Sequence, residues 1–259
     1  MDCARPIMGI ARRTVGLLVV ALAAAACSND QPDAPRVSDE RAPAEVGGAS
    51  PAPGNTGTIE VRVTYGGAPV VETLRINKDT EQCGEATTIE KLLVGDHGGL
   101  ANAVVSVAAA ERSAVVSRVE PQLDQRGCAF RPRVLAMQAG ELEILNSDGV
   151  LHNIHTYSTA NATINKAQPK FKKTMTVTFS EPEIVKVTCD VHSWMQAWVA
   201  VFAHPYFDVT DAQGIATIEK VPAGPHTIEL WHEVLGRRTR EVEVKAGDRT
   251  QVAFDWETS

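Results

Sequence analysis

From residue 57 onward, apolar and polar side chains alternate in short runs with a period of two. Ile59, Val61 and Val63 fall on one face of an extended segment and Glu60, Arg62 and Thr64 on the other, ahead of a turn at Gly66-Gly67. Residues 103–107, 133–137, 141–145, 174–179, 184–189 and 198–202 read the same way. Within 174–179, Met175, Val177 and Phe179 point inward and Thr174, Thr176 and Thr178 outward, as in a strand wetted on one face only. A second block follows His204, with strands expected over 206–210, 215–219, 227–231, 240–244 and 251–256. Turn sequences at 211–214, 222–225 and 246–248 separate them. The pattern predicts an all-β fold of sandwich type, with residues 57–203 as one domain carrying an N-terminal strand extension and 204–259 as a smaller module. That module has about 55 residues, few for a core of its own, so it is expected to pack on, or share a strand with, what precedes it.

Composition adds a compartment. Of the 259 residues 44% are hydrophobic, enough for a sizeable core. Arg12 and Arg13 precede an apolar run from Val15 to Ala26 that is too short for a stable transmembrane anchor, so residues 1–27 are expected to be a cleaved export signal. The sequence Leu22-Ala23-Ala24-Ala25-Ala26-Cys27 resembles a bacterial lipoprotein signal, which implies lipidation at Cys27. It departs from the usual pattern in having Ala24 where a large aliphatic residue is common, and simple cleavage after a small residue is the alternative. Residues 28–56 hold five of the fourteen prolines and no aromatic residue, the composition of a flexible tether. Loss of the signal removes three Arg and one Asp and moves the formal charge from −7 to −9. An acidic mature chain is a poor partner for nucleic acid or for anionic lipid, so any membrane association is expected through the N-terminal anchor alone.

The candidate chemistry lies in Cys189-x-x-His192-x-x-Met195 together with an upstream His152-Asn153-Ile154-His155. One thiolate, two imidazoles and one thioether suit a copper ion that alternates between Cu(I) and Cu(II), because the set contains ligands acceptable to both states. Cys189 ends a predicted strand, and His192 and Met195 follow in the loop after it. His152 and His155 are three apart, so an extended chain points them to opposite faces and one alone is expected to reach the site; His152 is the choice. Cysteine parity bears on the same point. With Cys3 lost and Cys27 reserved for lipid, Cys83, Cys128 and Cys189 remain, and in an oxidising compartment two should pair. A Cys83–Cys128 disulfide leaves Cys189 free for metal, whereas a disulfide through Cys189 would abolish the metal reading.

The stretch Phe130 to Phe202 resembles the cupredoxins, above all the amicyanin and plastocyanin branch. The shared elements are Asn146-Ser147-Asp148, His152-Asn153-Ile154-His155, the run 172–179, and Thr188-Cys189-Asp190-Val191-His192-Ser193-Trp194-Met195. The resemblance implies one type 1 copper bound by His152, Cys189, His192 and Met195, with Asn153 tying the two ligand loops together. It also implies an electron port at the edge of His192, with Trp194 and Trp198 as a docking surface around it; for Trp198 a place in the core is the alternative. Residues 209–214 and 221–230 are similar to the hairpin of carboxypeptidase regulatory-like, transthyretin-type sandwiches. Residues 57–70 look like the opening strand of such a module, which leaves open an insertion of the copper domain within it.

The expected function is that of an exported electron carrier, not an enzyme, working in the periplasm or at the cell surface with a redox protein such as a cytochrome or dehydrogenase. The alternative is a copper- or carbohydrate-binding module without redox partners. A copper enzyme would need a second site, and His97, His204, His226 and His232 show no ligand spacing. No pair of positioned carboxylates supports a glycosidase, and Trp231-His232-Glu233 reads as a strand end.

Overall fold

Period-two segments form strands because alternate side chains reach a common core while the backbone pairs laterally. The computed structural model describes residues 54–108, 110 and 120–257. The expected signal, Cys27 and all but the last three residues of the expected tether lie outside them. Among the described residues the strands run, in chain order, β1 (Thr56–Tyr65), β2 (Val70–Arg75), β3 (Ala86–Leu92), β4 (Val104–Val107), β5 (Gln122–Gln125), β6 (Phe130–Arg131), β7 (Val134–Gln138), β8 (Gly140–Asn146) and β9 (His152–Tyr157). They continue with β10 (Asn165–Gln168), β11 (Thr174–Phe179), β12 (Glu183–Thr188), β13 (Gln196–Phe202), β14 (Phe207–Val209), β15 (Ile215–Pro222), β16 (Gly224–His232), β17 (Gly236–Val244) and β18 (Arg249–Trp256). A single helical turn, α1 (Thr80–Cys83), sits between β2 and β3. The fold is all-β, and no helix among the described residues is long and apolar enough to cross a membrane.

Two cores divide the strands. The central one joins the five-stranded sheet β10-β9-β12-β13-β7 to the four-stranded sheet β11-β8-β5-β6. Between them Leu142, Ile144, Val177, Phe179, Val185, Val187 and Val199 are buried, each contributing about 1.5–3 kcal/mol by leaving water. The other core joins β15-β1-β18 to β14-β4-β16-β17 and contains Ile59, Val61, Val63, Val105, Ile228, Leu230 and Phe254. Here β1 lies antiparallel to β15 and parallel to β18. The tight return between β14 and β15 depends on Gly214, at φ +74°, where any side chain would collide with the carbonyl of Val63.

Strands β1 and β4 therefore share sheets with residues 207–256, β2 and β3 pair with each other in a two-stranded sheet, and 122–202 form a sandwich between β4 and β14 in sequence. The expected division at residue 203 does not follow this pairing. Alternation reports which side of a strand is buried, but not which distant strand completes its hydrogen-bond ladder. Where the two sandwiches meet, Val104, Val134 and Ala200 are buried together, and Trp198 packs edge-on against Trp231 with ring centroids 5.1 Å apart. Glu233, just past β16, accepts from Arg133 Nε at 2.6 Å and Nη2 at 2.9 Å, from Trp198 Nε1 at 3.0 Å and from Gln196 Nε2 at 3.2 Å. The Trp231-His232-Glu233 segment is thus a fastening between sandwiches.

Candidate metal centre

The loop joining β12 to β13 carries Cys189, His192 and Met195, and two backbone bonds set its shape. Met195 N–H donates to His192 O at 2.9 Å, and Cys189 N–H donates to Met195 O at 3.3 Å. The loop thereby turns the Cys189 sulfur and the His192 ring toward the interior, where both are buried. Strand β9 lies beside β12 in the same sheet, with Thr188 opposite His155, and brings His152 to the same end of the sandwich. The ligand atoms of His152, Cys189 and His192 lie within 4.8 Å of one another. The Cys189 sulfur stands 4.0 Å from His192 Nδ1, the separation of two atoms bound about 2.0–2.3 Å from one ion at a wide angle. Met195 is buried in the same core.

The two imidazoles are held in a row of four groups. Asp148 Oδ2 meets His152 Nε2 at 2.9 Å, His152 Nδ1 meets His192 Nδ1 at 2.9 Å, and His192 Nε2 meets Asp79 Oδ2 at 2.9 Å. Ionised carboxylates only accept, so each ring carries its proton on Nε2 and turns an unprotonated Nδ1 toward the other. Two lone pairs facing each other in a dry site repel unless a cation stands between them. Burial, above all, lowers the proton affinity of His152, followed by an opposing hydrogen bond from Asp148. A proton is thus a poor candidate for that cation, and a metal ion that also takes the neighbouring thiolate fits the donor set. Among the described residues Cys189 is the one free cysteine, because Cys83 and Cys128 form the expected disulfide. The Cys189 sulfur also accepts the His192 backbone N–H at 3.4 Å, which fixes its position in the loop.

Asn153 spans the two ligand segments. Its Oδ1 accepts the Asp190 backbone N–H at 2.5 Å, and its Nδ2 donates to Asp190 Oδ2 at 3.2 Å and Asn165 Oδ1 at 2.9 Å. His155 points to the other face of β9, where it bonds Asp190 Oδ1 at 2.9 Å and stacks on Tyr157. The His155 bond, followed by that from Asn165, holds the Asp190 carboxyl below the usual carboxylate range.

Of the two places open to Trp198 the structure shows the core one, packed where the sandwiches meet. The exposed electron port expected at His192 does not hold. The edge of His192 is closed, its side chain being 0% exposed, with Asp79 and the Cys83 sulfur, 3.9 Å from Nε2, covering it. Trp194 stays beside His192, ring centroids 5.0 Å apart, and donates Nε1–H to Cys128 O at 3.0 Å. The sequence reading missed the partners of both imidazoles. Asp148 was within reach of it, four residues before His152 in a polar turn; Asp79, in the connection between β2 and β3 and 113 residues from His192, gave no local signal.

No family model matches the chain, and no curated protein matches it in sequence. Similar solved structures include the Cu-containing nitrite reductase from Thermus scotoductus SA-01, at 19% identity over 37% of this chain and 25% of that one, with a TM-score of 0.29. A purple cupredoxin from Nitrosopumilus maritimus matches at 21% identity over 32% of this chain and 100% of its own, with a TM-score of 0.28. A mutant of amicyanin with Cu(I) matches at 18% identity over 38% of this chain and 98% of its own, with a TM-score of 0.30. The chain spans a quarter of the nitrite reductase and nearly all of the two smaller proteins. At these scores the likeness says nothing about chemistry, which rests on the geometry above.

Proposed function

We propose that the chain is an exported type 1 copper protein that carries single electrons, and that His152, Cys189, His192 and Met195 are the residues that would hold the copper. The observation that carries this reading is the approach of two buried imidazole Nδ1 atoms to 2.9 Å, each ring held at Nε2 by a carboxylate, beside a buried free thiol. Bound copper would supply a one-electron couple between Cu(I) and Cu(II). The chain's own residues supply the rest. Asp148 and Asp79 hold the rings by Nε2, the His192 backbone N–H steadies the sulfur, and the buried surroundings exclude water, so little has to rearrange as charge changes.

Export and a lipid anchor at Cys27 belong to the same reading, supported by the apolar run before Cys27 and by a disulfide suited to an oxidising compartment. The partner is a redox protein of the cytochrome or dehydrogenase kind, met in the periplasm or at the cell surface, and the chain itself catalyses no reaction. The strands outside the central sandwich make a carboxypeptidase regulatory-like, transthyretin-type module into which the copper domain is inserted. A second reading, a module that binds copper without passing electrons, draws support from the complete burial of His192, which puts protein between the ring and any partner.

Addition of Cu(II) should produce an intense visible absorption from thiolate-to-copper charge transfer, lost in Cys189→Ser. A wild-type protein without that band would refute thiolate ligation. Reversible voltammetry then decides between carrier and store.

A further inference from the structure

The segment joining β2 to β3, a two-stranded sheet apart from both sandwiches, closes over the metal site of the central one. Between β2 and β3, Asp79 takes a left-handed backbone conformation, φ 51° and ψ 40°, and starts the turn α1 that ends at Cys83. Cys83 is tied to Cys128. Gln82 reaches the loop before β9, where a side chain at Gly149 would come within 3.5 Å of its Oε1. The segment is thus fastened at the end nearest the site, and it brings two groups to His192: the Asp79 carboxylate at 2.9 Å from Nε2 and the Cys83 sulfur at 3.9 Å from the same atom. The Asp79 side chain is 35% exposed while that of His192 is 0% exposed, so one oxygen faces the ring and the group still touches solvent. Among the described residues, no other group bonds that nitrogen.

We propose that Asp79 is a positioning residue for the metal site: its carboxylate holds the Nε2 proton of His192, leaves Nδ1 free to ligate, and places a fixed negative charge at the ring edge that favours the higher copper oxidation state. This rests on the copper reading of the preceding subsection for its electrochemical consequence, but not for its account of the tautomer. The physical reason is that a carboxylate accepting the distal N–H of a ligating imidazole fixes the ring and makes it a stronger electron donor. Since Cu(II) carries one more positive charge than Cu(I), an anion beside its ligand lowers the reduction potential. The disulfide matters here because it keeps a solvent-touching aspartate, 113 residues away in sequence, on one nitrogen.

Asp79→Asn suits the left-handed backbone and retains an acceptor oxygen, so it removes the charge and keeps the bond. Asp79→Ala removes both. In the copper-free protein, 15N NMR of the imidazoles should show His192 protonated at Nε2 in the wild type and in Asp79→Asn, and a mixture of tautomers in Asp79→Ala. A wild-type His192 protonated at Nδ1 overturns the proposal whether or not copper binds. In the copper-loaded protein, Asp79→Asn should raise the potential, favouring Cu(I) by about tenfold, or about 59 mV for one electron. Glu81→Gln, which removes an exposed charge from the same turn, should shift it much less. An equal shift in both variants, or none in Asp79→Asn, overturns the electrostatic role. A wild-type protein lacking the charge-transfer band sinks the copper reading instead, and the tautomer measurement still decides the positioning role.

Discussion

Glu233 is the residue whose replacement should most clearly separate stability from metal chemistry. Its side chain is 6% exposed and that of Arg133 is 17% exposed, so the pair is largely desolvated, and two further donors, from Trp198 and Gln196, converge on the same carboxylate. Glu233→Gln keeps the shape but turns one acceptor oxygen into a donor that faces other donors, and it leaves the Arg133 charge without its counter-ion. Breaking one side of a buried pair costs about 3–5 kcal/mol, because the remaining charge stays desolvated. At roughly 2–4 °C per kcal/mol for a domain of this size, the melting temperature should fall by roughly 6–20 °C. Removing both charges, as in Arg133→Leu with Glu233→Leu, should recover more than half of the loss. Urea unfolding followed by circular dichroism measures all three proteins, and copper absorption should be the same in each folded form. A Glu233→Gln penalty below about 1 kcal/mol would show that the carboxylate is not desolvated as described.

Two other outcomes follow from the structure. Replacing Cys83 and Cys128 together by Ser removes a cross-link spanning 45 residues, and chain entropy alone puts the loss near 4 kcal/mol, read by urea unfolding under non-reducing conditions. A loss no greater than that of wild type treated with reductant and then reoxidised would contradict it. Burial, above all, lowers the pKa of His232 from 6.5 to about 4, with Glu233 opposing and Arg133 adding to the shift. The unfolded chain therefore takes up a proton on this ring first as pH falls, and stability contributed by the neutral ring is full above pH 6.5 and lost progressively down to 4. The expected decrease between pH 7.5 and 4.5 is about 2.5 kcal/mol, and it should be absent in His232→Gln. An unchanged pH profile in that variant would assign the decrease elsewhere.

Much of the molecule was legible because β-structure writes burial into every second residue. Strand β11 coincides with its expected bounds, and Met175, Val177 and Phe179 occupy the inward face. The centre was legible for a related reason: Cys189, His192 and Met195 sit in one seven-residue loop, and parity left Cys189 without a disulfide partner. Less legible were strands without alternation. Val70 and Val71 in β2 are exposed, and β10 buries only Gln168, so neither gives an inward stripe to read.

By itself the sequence determined the fold class, the strands with a buried face, the cysteine left free and the three residues that meet at the inner end of the central sandwich. The strands depend on spacing along the chain, the free cysteine on parity, and the site residues on two short motifs, 152–155 and 189–195. Tertiary structure decided that β1 and β4 pair with the C-terminal strands, that Glu233 fastens two sandwiches, and that Asp79 closes over His192. Those contacts join residues about 100 or more positions apart, and local periodicity carries no record of which distant surface a side chain will meet once the chain has folded.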